Sequence, residues 1–285
     1  LKAEAGINLV SMASQGEVGT DTVPGGINKP TLGTITMASS LLDTAAPELG
    51  SFRRSGPIVI RGSQLVMDQS TITASVSGVS LAQFNSGEVT LQLTDTIRAN
   101  ESHIVSNGGG ANRGVVSLEA GHAIRLTKST IESDNVLGDP GGPAGRVALN
   151  APVITLDGSH VSATGHTTCC GASSGGSVTI QADRLDLKNG SEVTAIGYQT
   201  SPSLPGGTVV INATDTVRID QSSINASGLP GGNAGSISIT AGEAVRLNHS
   251  EILAEGSTIS VPPLPGHGGN IVIDAGKSFV SQSGA

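Results

Sequence analysis

The sequence predicts an all-β chain wound as a parallel β-helix, a solenoid of about nine coils with ~31 residues and three short strands in each. Three observations carry that expectation. A phrase recurs, Gly-x-[Val/Ile/Leu]-x-[Ile/Leu], then two alternating apolar residues, then Ser-x-[Ile/Val]-x-[Ala/Ser]. Its starts fall at Gly56, Gly87, Gly114, Gly145, Gly176, Gly207, Gly235 and Gly269, in steps of 31, 27, 31, 31, 31, 28 and 34 residues. Within each phrase apolar and polar residues alternate, the period of a strand with one buried face. A serine also returns at one place in seven successive phrases: Ser70, Ser102, Ser129, Ser159, Ser191, Ser222 and Ser250.

Taken in order, residues 1–55 read as irregular N-terminal coils with extruded loops, continuous with the regular repeats of 56–285 as one domain. Leu1-Lys2-Ala3 resembles the end of a first strand, and Ile7-Asn8-Leu9 a second strand. Gly33 is a weaker phrase start, residues 20–32 read as a loop, and residues 45–54 as an extruded one. From Gly56 onward the first strand points inward at Ile58 and Ile60, Val89 and Leu91, and so on to Ile271 and Ile273. The second strand carries pairs such as Leu65 and Met67, Ile124 and Leu126, and Leu185 and Leu187. The third carries Ile72, Ile104, Ile131, Val161, Val193, Ile224 and Ile252, each followed two residues on by a small residue. Pro/Gly/Ser-rich gaps after it, such as Val136 to Pro143, Tyr198 to Pro205 and Ser257 to Pro265, read as loops projecting from one corner. Two readings of the serine column stand side by side: a ladder of hydroxyls bonding along the axis or to local backbone, or a small turn residue.

Composition narrows the function. The 285 residues include 40 glycines, no tryptophan, one tyrosine and three phenylalanines, and the net charge is −8. Cationic residues are scattered along the sequence and no aromatic platform is evident, which argues against a nucleic-acid partner. No apolar run approaches the roughly 20 residues of a membrane helix, so membrane insertion is not expected. No leader is visible in the sequence. The termini show no polar cap, so the chain reads either as an excerpt of a longer rod or as a unit that stacks end to end.

Stretches such as Gly231-Gly232-Asn233-Ala234-Gly235-Ser236-Ile237-Ser238-Ile239-Thr240-Ala241, Gly268-Gly269-Asn270-Ile271-Val272-Ile273-Asp274-Ala275 and Asn189-Gly190-Ser191-Glu192-Val193-Thr194-Ala195 resemble the repeats of filamentous-haemagglutinin-like exoproteins of the two-partner secretion type. The resemblance covers roughly residues 56–285. It implies a right-handed parallel β-helix, export across the outer membrane, and an adhesive or scaffold role at the cell surface. The Asn-Pro-Asn-rich signatures of that family's secretion domain are absent, and the resemblance implies no catalytic residue.

Few residues offer chemistry. The only cysteines, Cys169 and Cys170, follow His166 in a corner loop. They read as a local or vicinal disulfide or inert thiols, as a covalent link between rods, or as part of a metal or redox site. Glu132, Asp134, Asn135 and Asp139 cluster as oxygen ligands do around calcium, but without the spacing of a calcium loop; they read as polar loop residues. A glycan-degrading β-helix would need clustered carboxylates. Glu88 and Glu119 fall in adjacent coils but different columns, and His103 and His160 share a column two coils apart. No catalytic residue, metal site or cofactor is therefore assigned, and no enzymatic activity is expected. The expectation is a secreted structural or adhesive rod, a stalk or extracellular filament. Its partners would be the rest of a longer chain or further copies along the axis, with surface glycans as possible ligands through many weak contacts. The alternatives are a filament subunit stacking end to end without a dedicated ligand, and a polysaccharide-degrading enzyme.

Overall fold

The structure, a computed structural model, describes residues 1–3, 5–13, 32–44, 55–76, 86–108, 113–135, 143–166, 173–198, 205–229, 232–256 and 266–283. Of the expected loops, 45–54 lies outside the described residues, as do 20–31, 136–142, 199–204 and 257–265 of the others.

The described chain is a parallel β-solenoid without helix. First-strand positions stack nine deep in chain order, from Ile7–Val10 through Ile58–Asp68 to Asn270–Ala275. Third-strand positions stack eight deep as a second sheet, from Leu41–Asp43 to Glu251–Leu253. First and second strands share one 14-stranded sheet. In four coils they run on as single strands, Ile58–Asp68, Glu88–Asn100, Ser177–Lys188 and Thr208–Asp220. Pairing shifts by a residue at the bend, between Gly62 and Gln64 and between Ala182 and Arg184. Small residues occupy most of the inward positions there, Ala120, Ala151, Ala213 and Ala241 among them, with Leu93 buried in the same column. A short third side pairs Gly197–Tyr198 with Gly228–Leu229.

The register explains the repeat. Val89 sits over Ile58, Val116 over Val89, and Val147 over Val116. Each column of the period-2 pattern is thus one apolar row along the axis. Ile58, Val89, Val116, Val147, Val178 and Val209 are fully buried, as are Ile72, Ile104, Ile131, Val161, Val193 and Ile224 on the other sheet. The phrase glycine has a packing cause. A Cβ at Gly87, Gly145, Gly176, Gly207, Gly235 or Gly269 would run into the carbonyl oxygen of the equivalent glycine one coil earlier. Only hydrogen fits between backbones at that corner.

The N-terminal strands differ from the sequence reading. Lys2 bridges Asp43, placing Leu1–Ala3 beside a third strand, and Ile7–Val10 pairs with Ile58 to Arg61, which makes it a first strand. Thr34–Ala38 pairs with Gln64 to Asp68, so Gly33 opens a second strand. Apolar alternation is the same in all three strand types, and without the glycine and serine at fixed distance it does not say which side of the coil a segment occupies. Ile7–Val10, Thr34–Ala38 and Leu41–Asp43 together supply the three strand positions of a first coil.

Candidate functional site

The seven predicted serines stack, and Ser40, which the sequence reading missed, joins them. The amide of Ser70 donates to Ser102 Oγ at 3.1 Å, Ser102 to Ser129 at 3.1 Å, Ser129 to Ser159 at 3.1 Å and Ser159 to Ser191 at 3.2 Å. Ser191 donates to Ser222 at 3.1 Å, Ser222 to Ser250 at 3.2 Å, and Ser40 to Ser70 at 3.1 Å. Each hydroxyl donates in turn to a local carbonyl, as Ser102 does to Asn100 at 2.7 Å and Ser129 to Thr127 at 2.8 Å. The residue before the serine adopts a left-handed conformation, with φ of 47° at Gln69, 45° at Glu101 and 45° at Lys128. The chain turns its corner there, and the amide of the serine that follows meets no backbone carbonyl in the neighbouring coil. A side chain must therefore accept it.

A second ladder runs after the third strand and was not anticipated. There the amide of Asn107 donates to Ser75 Oγ at 3.0 Å, Asp134 to Asn107 Oδ1 at 2.8 Å, and Thr164 to Asp134 Oδ1 at 2.7 Å. Ile196 donates to Thr164 Oγ1 at 3.4 Å and Glu255 to Ser227 Oγ at 3.1 Å. Ile196 offers no oxygen, so the Ser227 amide turns to its own Asn225 Oδ1 at 2.9 Å. In the serine ladder the hydroxyl belongs to the later coil; in this one the acceptor belongs to the earlier coil.

The second ladder accounts for the acidic cluster. Asp134 Oδ1 also accepts from Ser162 Oγ at 2.6 Å, and its Oδ2 faces His166 Nε2 at 3.5 Å. Glu132 accepts from Asn107 Nδ2 at 3.0 Å. His166 stacks on Tyr198 with centroids 5.4 Å apart. The hydrogen bond to Asp134 raises the His166 pKa above 6.5, burial opposes the shift, and the charges of Asp134 and Glu132 reinforce it. Ser162 and His166 both address the carboxylate. A nucleophilic relay would instead put the serine on the imidazole. Among the described residues no group of three His, Cys, Asp or Glu is placed to hold a metal ion. Asp139, Cys169 and Cys170 lie outside the described residues.

His103 and His160 occupy one column with Thr130 between them, and His160 Nδ1 lies 3.3 Å from Glu192. Glu119 stands over Gln92 and Glu88 under Val115, in separate columns. A shallow groove follows the bend, lined by Gln92, Glu119, Asn150, Gln181 and Asn212.

Arginine is distributed differently from its scatter in the sequence. On the outer face of the second strands, Arg125 stands directly over Arg98 and Arg246 directly over Arg218. Thr155 and Asp186 fill the two rungs between. All four arginines are exposed. The signal was present in the sequence: Arg98, Arg125, Arg218 and Arg246 each follow their phrase glycine, Gly87, Gly114, Gly207 and Gly235, by the same number of residues.

Comparisons with protein families, with curated proteins and with solved structures returned no match. Among the described residues no helix is long and apolar enough to cross a membrane.

Proposed function

We propose that the chain is a rigid rod segment of a secreted cell-surface exoprotein, acting as a stalk or extracellular filament that carries adhesion, and not as an enzyme. The observation that carries this reading is the unbroken axial stack, nine first-strand rungs deep, braced at two corners by side-chain ladders. A stack joined by backbone bonds on every rung resists bending and extends by addition of like units. One outward first-strand column carries the short polar residues Thr90, Ser117, Thr179 and Ser238, interspersed with Val59, Ala148 and Val210. They suit many weak contacts with surface glycans, where multiplicity supplies strength. The resemblance to exported haemagglutinin-like repeats supports an extracellular location.

A filament that grows by stacking is the second reading. On the last described rung the core columns continue into Ile271, 44% exposed, and Phe279, 51% exposed. Those apolar side chains and the free strand edge beneath them suit pairing with a further rung, from the same chain or another copy.

Electron microscopy of native material, with and without a reducing agent, tests both. Long rods from a parent chain much larger than this one are expected for the stalk. Rods that break into units of roughly 40–45 Å, the height of nine rungs at the inter-strand spacing, would mean stacked copies. Breakage only on reduction would make Cys169 and Cys170 the joint. Globular particles under every condition would refute both.

A further inference from the structure

We propose that the stacked pairs Arg98–Arg125 and Arg218–Arg246 form a binding strip for a linear polysaccharide carrying carboxylate groups, laid along the rod axis. The proposal rests on the adhesive reading above and gives it a ligand class.

The geometry places like charges where a sheet ordinarily avoids them. Arg98 and Arg125 are register partners on adjacent parallel strands, and so are Arg218 and Arg246. Partners on adjacent strands are separated by roughly 4.8 Å, and like charges directly opposite each other destabilise a sheet. Among the described residues no carboxylate oxygen lies within 4.0 Å of any of the four guanidinium groups.

The carboxylates of the same face are already engaged, and along the axis. Asp68 accepts from Asn100 Nδ2 at 2.7 Å, Asp157 from Asn189 Nδ2 at 2.7 Å with Lys188 at 3.0 Å, and Asp220 from Asn248 Nδ2. Asp186, the register partner of Arg218 on the preceding rung, is held by Arg184 at 2.8 Å on its own strand. Each acid thus has a partner within the fold, and the four arginines are left facing solvent.

The chemistry of the strip selects its ligand. A guanidinium fork receives a carboxylate through two parallel hydrogen bonds, and a carboxylate seated between two stacked forks removes their mutual repulsion. From the Arg98 rung to the Arg246 rung is roughly 24 Å, and the gap between the pairs is roughly 14 Å, at the strand spacing. A ligand must therefore present separated charges along a line. Acids stand on one side of the strip: Asp68, Asp157 and Asp220 share a column with Asn100, Thr127, Lys188 and Asn248, two residues along the strands from the arginine column, about 7 Å away. A dense polyanion such as duplex DNA, with a charge every ~1.7 Å of axis, would press against those acids. The described strip also has no aromatic side chain for a base to stack on. A chain of sugars with one carboxylate per residue or fewer meets both limits.

The test is binding of the full 285-residue chain to polygalacturonate, with neutral galactan, dextran sulfate and duplex DNA as comparison probes. Polygalacturonate should bind, weaken with added salt, and be preferred to the other three. Replacing one pair (R98Q/R125Q or R218Q/R246Q) should lower the affinity about tenfold, because a bidentate contact and the gain from multiple attachment are lost together. The four-fold variant should not bind. Without ligand, each double variant should unfold no earlier than the parent at low salt, since it removes a repulsion; this shows that lost binding is not lost folding. Equal binding by the four-fold variant, equal binding of galactan, or preference for dextran sulfate or DNA would overturn the proposal. Rods that form normally but bind nothing would sink the strip and leave the rod standing. Absence of rods with binding intact would do the reverse.

Discussion

Replacing Ser129 by alanine isolates what one step of the serine ladder contributes. Ser129 Oγ accepts the amide of Ser102 at 3.1 Å and donates to the carbonyl of Thr127 at 2.8 Å. The Thr127 carbonyl keeps a second donor, the amide of Glu101 at 2.9 Å. The Ser102 amide has no such reserve: Ser102 is fully buried and Ser129 is 1% exposed, so water does not reach the vacated place. The substitution therefore orphans one buried donor, which costs about 1–3 kcal/mol. At 1.4 kcal/mol per factor of ten this is roughly a 5- to 150-fold gain in local opening. In a solenoid each coil contacts only its neighbours, so the effect should stay near the affected rung. Native-state hydrogen exchange of the Ser102 amide reads it directly. Ser250→Ala is the control: Ser250 also accepts an amide, that of Ser222 at 3.2 Å, but it is partly exposed. Water can replace its hydroxyl, and the expected loss is below about 1 kcal/mol. Equal acceleration in the two variants, or none at Ser102, would refute the claim that buried corner amides depend on the ladder.

Gly176→Ala should lower stability by about 3 kcal/mol or more through overpacking, because its Cβ would run into the backbone carbonyl of Gly145. Gly190→Ala, with open space around it and a φ of 79°, should lose only the cost of a left-handed alanine, about 1–2 kcal/mol. Urea midpoints of the two should differ in that order, and the reverse order would contradict the contact explanation. His166, its pKa raised by Asp134, should stabilise its corner fully below the ordinary value of 6.5. That contribution should fade as pH rises through the higher folded value. The ring titration followed by nuclear magnetic resonance should show a midpoint above 6.5, and His166→Gln should flatten the pH dependence of Thr164 amide exchange. A midpoint at or below 6.5 would contradict the pairing.

What could be read in advance depended on whether a column repeats a residue or only a property. Valine and isoleucine recur at the first-strand positions, so register and core were legible from Ile58 to Ile273. Serine recurs at one corner, so that ladder was legible too. The second ladder uses Ser75, Asn107, Asp134, Thr164 and Ser227, which share only an oxygen acceptor at a fixed distance after each ladder serine. A search for residue identity passes over it. Asp134 consequently looked like a member of a loop cluster, when its carboxylate serves the Thr164 amide and Ser162. At the N-terminus the strand period was right and its phase was wrong. Ile7-Asn8-Leu9 alternates like any strand, and only pairing with Ile58–Asp68 reveals which side it occupies.

The contrast between acids and arginines follows from the same stacking. In a coil stack, whatever a residue type does is done again one rung later, so an unbalanced charge meets its own kind. The acids avoid this because the next rung supplies an amide or a lysine: Asn100 for Asp68, Asn189 and Lys188 for Asp157, Asn248 for Asp220. On the neighbouring bend Asp95 accepts from Gln64 of the rung before, and Asp183 from the Thr214 hydroxyl of the rung after. Asp186 stands one rung from Arg218 in the same column, yet its carboxylate goes to Arg184 on its own strand. Arg98 instead faces Arg125, and Arg218 faces Arg246. Local stability does not explain that arrangement. The outside anion proposed above would account for it, and would make the second-strand face the recognition surface of the rod.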